Sequence, residues 1–460
     1  MVEQEAIDEE KLKQKAREIS VKEGATYGVM EGFGYRYISP FMISLGASNN
    51  VIGLLSSIPS LFGNLAQLFS LRLMEKISRK KIIITSVLLQ AILWIPVILA
   101  GFFFFVLKLG TAFSSAFLLL SYSVLIFTGS VASPPWSSWM KDLVTEKKGE
   151  YFGRRNKIAG IVTLISILVG GLILNYFTKI NLFVGYLIIF IIALIGRLFS
   201  LYFFIKEYEP KFVYDKKNYF SIFEFCKKML FNNFGRFVLF VSLITLATMI
   251  ASPFFAVYML SDLKFNYFIF TLITLSSAIT SFLFMPFWGR FSDKYGSIRV
   301  IKITSFLIPL IPLLWLLTRF ILIDNFEALV FYLIIVEGFS GFVWGGFNLS
   351  SANFVYDAVT REKMAICVAY FNIINSIGGF IGALIGGVLA SKNVLLFSLT
   401  PILFVFALSA ILRFIFALFV FPFIKEIRVV EKLKVKEKMI LKAQNIMSYL
   451  SFHPIKIARV

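Results

Sequence analysis

Ionisable side chains are scarce inside the apolar segments of this sequence, so the few present are the first candidates for chemistry. Glu31, Tyr35 and Arg36 lie in the first such segment, and Glu337 lies in a later one. Charged groups are costly in lipid and usually face a cavity or a partner. A buried carboxyl group with a raised pKa could carry a proton. A structural ion pair is an equal alternative for Glu31, and a solvated rim position is the favoured alternative for Glu337.

Arg36 and several tryptophans could contact a ligand directly. Arg36 suits an anionic group, although a structural pair with a carboxylate is slightly favoured. Five residues apart on a helix, Arg36 and Glu31 are not expected to face each other. Trp344 could stack on a ring or a sugar. Trp136 and Trp139 are better explained as anchors at the membrane interface.

Residue types needed for other chemistries are rare or poorly placed. The only histidine is His453, in the polar C-terminal tail, and the two cysteines, Cys226 and Cys367, lie far apart without a CxxC spacing. Histidine catalysis within the apolar segments, a disulfide, a metal site and a bound cofactor are therefore not expected. No glycine-rich loop followed by Lys-Ser or Lys-Thr is present, so we do not expect ATP to be the energy source.

The elements that position these residues must lie in lipid. With 58% hydrophobic and only 16% charged residues, the 460-residue chain has too little polar surface for two or three soluble domains. A bilayer core takes roughly 20 apolar residues per helix, and twelve such segments fit between residues 24 and 424. The sequence predicts an all-α membrane protein with twelve transmembrane helices.

The charge distribution predicts an orientation rather than a nucleic-acid partner. Although the net charge is +20, the Lys and Arg residues concentrate in alternate connecting segments: 72–81, 141–157, 206–236, 290–299 and 361–363. This alternation is typical of the positive-inside rule. We therefore expect these loops and both termini to be cytoplasmic, in the plasma membrane.

The two halves of the chain carry related sequences. Ser39-Pro40-Phe41 recurs as Ser252-Pro253-Phe254, and Arg197 recurs as Arg413, within a series of five ordered matches whose offset stays between 213 and 218. Such matches predict two pseudo-symmetric six-helix bundles that cross the membrane in the same direction. We expect Arg197 and Arg413 to snorkel towards the headgroups or to brace a neighbouring helix.

This pattern predicts five segments. They are an N-terminal cytoplasmic arm (1–23), a first six-helix bundle (24–205), a cytoplasmic linker (206–235), a second six-helix bundle (236–424) and a basic cytoplasmic tail (425–460).

Two loops at matching places carry a further motif. The segment from Gly289 to Arg299, GRFSDKYGSIR, resembles the signature loop of the major facilitator superfamily, G-x-L-x-D-[RK]-x-G-[RK]-[RK]. The segment from Leu71 to Lys81 keeps the acid and the basic cluster, but Leu71 and Ser78 stand where the family has glycines. With the twelve predicted spans and the repeat, the resemblance covers residues 24 to 424.

The resemblance implies that these loops act as gates. The acids with their basic neighbours would bias the outward-open and inward-open states. The alternative is that the charges only fix topology, and we expect both roles for the lysines. The implied gating residues are Glu75, Lys76, Arg79, Gly289, Asp293, Lys294, Gly296 and Arg299.

The favoured function is secondary transport of a small organic solute by alternating access, with proton coupling left open. The resemblance places span eleven beside the substrate pathway, so Asn372 and Asn375 are slightly favoured as substrate contacts over bonds between helices. We expect a monomer whose partners are a small-molecule substrate and the lipid bilayer. A membrane-embedded transferase and a non-transporting sensor are the alternatives, although the chain shows no large loop with catalytic residues.

Overall fold

The computed structural model describes residues 2–144, 148–210, 221–321, 325–359, 363–392, 399–419 and 421–427, and every element in these ranges is helical. Eleven of the described helices are long and apolar enough to cross a membrane. The twelfth crossing is span one, which is interrupted and more polar. The prediction of an all-helical protein with twelve spans in two halves is therefore confirmed. Residues 211–220 of the predicted linker and 428–460 of the predicted tail lie outside the described residues.

The first half contributes six spans, several of which consist of two helices in succession. Its helices are α1 Val2–Phe33, α2 Ile38–Ser44, α3 Asn49–Leu73, α4 Arg79–Ile92, α5 Trp94–Gly101, α6 Thr111–Val131, α7 Ser133–Leu143, α8 Lys148–Phe177 and α9 Leu182–Lys206. Span one comprises the end of α1 and α2, span three comprises α4 and α5, and span four comprises α6 and α7.

The second half follows the short helix α10 Ile222–Lys228. Its helices are α11 Asn233–Val257, α12 Tyr267–Tyr295, α13 Ser297–Leu307, α14 Leu310–Ile321, α15 Phe326–Ala358, α16 Met364–Ala390 and α17 Pro401–Phe419. Helices α13 and α14 together form span nine. We call the side of the bundle that carries the two signature loops the loop side, and the opposite side the far side.

Span one is interrupted at Gly34, where another helix packs closely against the backbone. Helix α1 ends at Phe33, residues Tyr35–Tyr37 form a 3-10 turn, and α2 begins at Ile38. A Cβ on Gly34 would lie 2.3 Å from the Trp94 ring, so the close approach requires glycine. The break changes the geometry of the neighbouring charges. Arg36 Nη2 lies 3.4 Å from Glu31 Oε1, so the expectation that these side chains would not face each other was wrong, because it assumed a continuous helix.

Glycine seams hold the spans of each half together. A Cβ on Gly378, Gly382 or Gly386 of α16 would lie 2.1–2.5 Å from a backbone carbonyl oxygen of α11. In the first half, Gly28 and Gly32 of α1 approach α8 in the same way. In lipid the hydrophobic effect does not drive helices together, because lipid tails are as apolar as the side chains. Close backbone contact at glycines therefore contributes much of the stability of helix packing. The regular spacing of these glycines in the sequence therefore reflects helix packing.

Of the two roles expected for Arg197 and Arg413, bracing is the one found, and the anchoring role expected for Trp139 was wrong. Arg197 is 4% exposed and Arg413 is 1% exposed, so neither snorkels; both brace neighbouring helices, which was the other expectation. Trp139 is fully buried and its Nε1 donates to the Tyr208 carbonyl oxygen at 2.8 Å. It therefore does not anchor the protein in the interface. In each case packing between spans provides a partner that hydropathy alone does not reveal.

Candidate functional site

A cavity of about 500 Å³ lies between the two halves, and we call it the central cavity. Spans one, two and four contribute from the first half, and span seven contributes from the second. Its lining residues are Tyr35, Ile38, Ser39, Leu55, Ser56, Pro59, Ser60, Gly63, Asn64, Tyr122, Ile126, Ser130, Met249, Ser252, Pro253 and Ala256. Both copies of the repeated Ser-Pro dipeptide contribute to this wall, the first through Ser39 and the second through Ser252 and Pro253.

The lining is uncharged and combines polar with apolar side chains. Tyr35 accepts a hydrogen bond from Gln90 Nε2 at 2.6 Å, and its ring makes an edge contact with Tyr122, with 6.1 Å between the centroids. Asn64 and several serine hydroxyls complete the polar surface. Hydroxyl and amide groups can both donate and accept hydrogen bonds. The cavity is therefore suited to a neutral solute with hydrogen-bonding groups and an apolar or planar part.

On the far side, the halves are joined by side chains from several spans. Tyr37 OH donates to the Ile167 carbonyl oxygen and lies 3.2 Å from Thr271 Oγ1 of the second half. Tyr186 and Tyr267 share a hydroxyl contact of 3.1 Å, while Asn49 Nδ2 donates to the Ala390 carbonyl oxygen at 2.7 Å. These contacts close the bundle beyond the central cavity.

Helices α3 and α16 form one side wall of the junction. Asn64 Nδ2 donates to Ser376 Oγ, and Asn372 Nδ2 donates to Gln67 Oε1 at 3.4 Å. The predicted site residue Asn372 therefore bonds between the halves and is not among the residues lining the central cavity. The Asn375 amide oxygen is buried without a hydrogen-bond partner among the described residues.

The other predicted pathway residues are spread over both halves. Tyr35 lines the central cavity, whereas Glu31, Arg36, Glu337 and Trp344 do not. Glu31 and Arg36 form a half-exposed pair, with 33% and 55% of their side chains exposed. Glu337 accepts a hydrogen bond from Trp315 Nε1 at 3.1 Å within the second half. Trp344 packs edge-on against Phe347, with 5.5 Å between the ring centroids.

In the first signature loop, Arg79 is the organising residue. It is fully buried, and its Nη1 lies 2.6 Å from Asp142 Oδ2 and 3.0 Å from Ser138 Oγ. Its Nη2 donates to the Pro210 carbonyl oxygen at 3.0 Å. Arg79 thus ties together the ends of spans three, four and six. By contrast, Glu75 and Lys76 are exposed at the loop surface.

The second signature loop requires its later glycine. Gly296 has φ +94°, a conformation that favours glycine, and a Cβ there would lie 2.3 Å from the Glu426 carboxylate. Ser78, its counterpart, has φ −59° and caps α4 through the Lys81 amide at 3.3 Å, so no glycine is needed. A Cβ on Gly289 would lie 3.8 Å from Leu349 Cδ2, an ordinary contact, so this position does not require glycine. Arg299 is partly buried, whereas Asp293 and Lys294 are exposed.

A carboxylate after the last span of each half caps another helix, and neither carboxylate was predicted from the sequence. Glu209 Oε1 accepts from the Lys80 amide at 3.3 Å, and Glu426 Oε2 accepts from the Ile298 amide at 2.9 Å. Both acids follow the last span of their half and cap the first turn of span three or nine, where a helix dipole favours negative charge. The two acids lie at matching positions of the sequence repeat, and this match could have identified them from the sequence.

A charged cluster inside the first half was also missed. Glu23 lies 2.7 Å from Arg155 Nη2 and 3.8 Å from Arg197 Nη1, and it accepts from Ser200 Oγ at 2.8 Å. These groups come from spans one, five and six. Glu23 and Arg155 were assigned to the polar arm and a cytoplasmic loop, because hydropathy places them just outside the apolar segments.

The fold and the cavity define a polytopic membrane protein with two related halves. Two segments, residues 25–246 and 237–454, match the sequence model of the Major Facilitator Superfamily. The chain therefore belongs to this superfamily of transporters. No curated protein matches the chain significantly in sequence.

Solved structures show the same fold at low sequence identity. The nucleoside transporter NupG, as a point mutant, superposes with TM-score 0.66 at 16% identity, covering 90% of this chain and 100% of that one. A bacterial homologue of the iron transporter ferroportin, in an inward-facing state, gives TM-score 0.67 at 10% identity, covering 89% and 98%. An inward-facing bacterial homologue of the lysosomal transporter Spinster gives 0.56 at 15%, covering 90% and 96%.

Proposed function

We propose that this protein is a secondary active transporter that moves a small organic solute by alternating access of the central cavity. The observation that carries the proposal is a cavity with an uncharged, partly polar lining at the junction of two repeated six-helix halves, closed on the far side by contacts between those halves. Rocking of one half against the other would open those contacts and close the loop side. The basic loop side faces the cytoplasm of a plasma membrane in this proposal.

The substrate we propose is neutral, with several hydroxyl or amide groups around a ring. The uncharged lining supports this choice, since a buried charge on the solute would lack a partner there. Tyr35 and Tyr122 offer ring faces, while Asn64 and the serines offer donors and acceptors. Among the structural neighbours, NupG is a nucleoside transporter, and nucleosides have this chemistry.

Vesicle uptake tests the proposal. Purified protein is screened for binding of neutral sugars and nucleosides, and the hits are followed by uptake into proteoliposomes with and without a pH gradient. We expect saturable uptake that Asn64→Ala reduces at least roughly tenfold, as lost hydrogen bonds in a substrate site do. Tyr176→Phe, a change on a 64% exposed side chain, is the matched control. Binding without uptake would contradict the transport proposal and favour a sensor.

Proton coupling is proposed through Glu31, which pairs with Arg36 near the bend in span one. The Glu31 side chain is 33% exposed, and rocking of the halves would change the access of water to this carboxylate, so that it could gain and lose a proton during the cycle. Glu31→Gln should abolish uptake driven by a pH gradient and spare equilibrium exchange. Gradient-driven uptake equal to that of the unaltered protein would remove Glu31 from this role, and Glu337→Gln is the next variant to measure.

A further inference from the structure

A second cavity, of about 250 Å³, lies within the first half between spans one, four, five and six. We call it the arginine pocket. Its lining residues are Glu23, Tyr27, Gly129, Ala132, Ser133, Trp136, Arg155, Arg197 and Phe204. None of them lines the central cavity, and the exposed Ser133 lies at its rim. The pocket is therefore a separate place at which a ligand could bind.

The pocket carries surplus positive charge. Glu23 is the single carboxylate among its lining residues, and it lies within 4 Å of both guanidinium groups, at 2.7 Å from Arg155 and 3.8 Å from Arg197. The arginine side chains are 11% and 5% exposed, so solvent screens them weakly. Glu207 lies nearby, outside the spans, but burial raises the pKa of its carboxyl group well above the ordinary value. Among the lining residues of the pocket, two guanidinium groups therefore share one carboxylate.

A buried donor in the pocket also lacks a partner. Arg197 is 4% exposed, and its Nε has no hydrogen-bond partner among the described residues. Its Nη1 is held by Ser200 Oγ at 3.0 Å, which fixes the guanidinium plane. An unpaired buried N–H is unfavourable, so a ligand oxygen that accepted a hydrogen bond from it would be favoured at this position.

Aromatic rings complete the pocket. The Arg155 Cζ lies 4.7 Å from the Trp136 ring centroid, and the Arg197 Cζ lies 5.2 Å from that of Tyr27. These contacts hold both guanidinium groups in place, as cation–π contacts do. Together with Phe204 these rings supply the apolar part of the lining. The combination matches a molecule with one anionic end and one apolar end.

We propose that the arginine pocket binds a small organic monoanion, a carboxylate with an apolar body, which the two guanidinium groups clasp through paired donors. Arginine is suited to this role because its planar fork matches the geometry of a carboxylate. A volume of 250 Å³ is below the range of about 300–1,000 Å³ for drug-sized ligands, so the anion must be small. The proposal goes beyond transport and does not depend on it.

The repeat provides an internal comparison. Arg413, the counterpart of Arg197, contacts the carbonyl oxygens of Ile308 and Thr248 at 3.3 and 3.4 Å. Its Nε also lacks a hydrogen-bond partner among the described residues, so the feature particular to Arg197 is the second arginine beside it in the same cavity. Those partners brace the second half, and no ion pair with Arg413 is found in the described part of the chain. Arg413→Gln is therefore the matched control for a buried arginine that is structural only.

Calorimetric binding to the full chain in phosphatidylcholine nanodiscs tests the proposal without any transport assay. The probes are benzoate and butyrate at fixed ionic strength, with benzamide and butyramide as neutral counterparts. We expect saturable binding of the carboxylates and not of the amides. Arg155→Gln should weaken binding roughly tenfold, the effect of losing one charge-assisted hydrogen bond. Glu23→Gln should strengthen it, because the surplus charge rises, and Arg413→Gln should leave it unchanged.

Folding is checked for each variant by its thermal unfolding. Arg155→Gln is chosen rather than a change at Arg197 because Arg155 is the more exposed of the two arginines, so its replacement disturbs folding less. Absence of saturable binding for both carboxylates would overturn the proposal. Equal binding of carboxylates and amides, or unchanged binding by Arg155→Gln, would do so too. Weaker binding by Glu23→Gln would assign the three charged residues to bracing the helices instead.

Discussion

At the scale of single residues, Arg79 shows how a loop charge becomes a structural centre. Its buried guanidinium joins Asp142, Ser138 and the Pro210 carbonyl oxygen. We expect Arg79→Gln to lower the free energy of unfolding by about 2 kcal/mol, less than for a fully enclosed pair because Asp142 is 38% exposed. Thermal unfolding in detergent measures this. Lys76→Gln, in the same loop but exposed, should change stability by less than about 0.5 kcal/mol.

Glu207 gives a pH dependence with a definite sign. Both its carboxylate oxygens are buried without partners among the described residues, and burial together with the nearby Glu23 raises its pKa well above 4.5. The folded protein thus holds this proton more tightly than the unfolded chain. Its contribution to stability is fully present below the ordinary pKa and is lost as pH rises through the folded value.

Glu207→Gln should therefore raise the unfolding temperature at pH 7.5, and this gain should shrink towards pH 5. The comparison variant is Glu209→Gln, which loses contacts with Arg79 and the Lys80 amide and should be less stable at pH 7.5. A Glu207→Gln gain that is the same at both pH values would show that Glu207 does not titrate in this way.

The same residues show what a sequence can and cannot predict at this scale. Arg79 could be singled out, because it belongs to a loop motif that occurs at matching places in both halves of the sequence. The ion pairs of Glu23 with Arg155 and Arg197 could not, since they join spans more than a hundred residues apart. Hydropathy does not indicate which face of a helix meets which neighbour. Glu23 was placed outside the membrane because a charge ends an apolar segment.

At the scale of elements, a glycine seam fixes the distance between α11 and α16. We expect Gly382→Ala to destabilise the protein, because its Cβ would lie 2.1 Å from the Leu246 carbonyl oxygen and backbone would have to shift. Overpacking of this kind typically amounts to about 1–3 kcal/mol. Gly379→Ala is the matched control, since its Cβ would have ordinary contacts of 3.4 Å or more. Equal unfolding temperatures for the two variants would contradict the role of the seam.

The elements themselves follow closely from the sequence, because bilayer thickness and flanking charges determine where spans begin and end. The apolar segments of the sequence predict the second span over 50–73 and the ninth over 298–319. The structure has helix Asn49–Leu73 and the segment Ser297–Arg319 at these places. Span one was predicted as continuous, but it bends after Gly34. Packing of Gly34 against Trp94 decides that bend, and such a contact between spans is not encoded in local hydropathy.

At the scale of the whole molecule, the proposed mechanism requires the halves to separate on the far side during each cycle. Asn49 of α3 and Ala390 of α16 meet there, so a covalent bridge between them should hold the halves together. The protein for this test carries Asn49→Cys and Ala390→Cys, with Cys226 and Cys367 replaced by serine. Substrate uptake is measured before and after treatment with a short, cleavable thiol cross-linker.

The matched control is a bridge within the first half, between Val29→Cys and Gly196→Cys. A Cβ on Gly196 would lie 3.1 Å from Val29 Cβ, and these positions need not separate when the halves rock. Rocking of rigid halves predicts that the Asn49–Ala390 bridge stops uptake and that cleaving the linker restores it, while the control bridge leaves uptake intact. Full uptake by a completely cross-linked Asn49–Ala390 protein would contradict alternating access by these two halves.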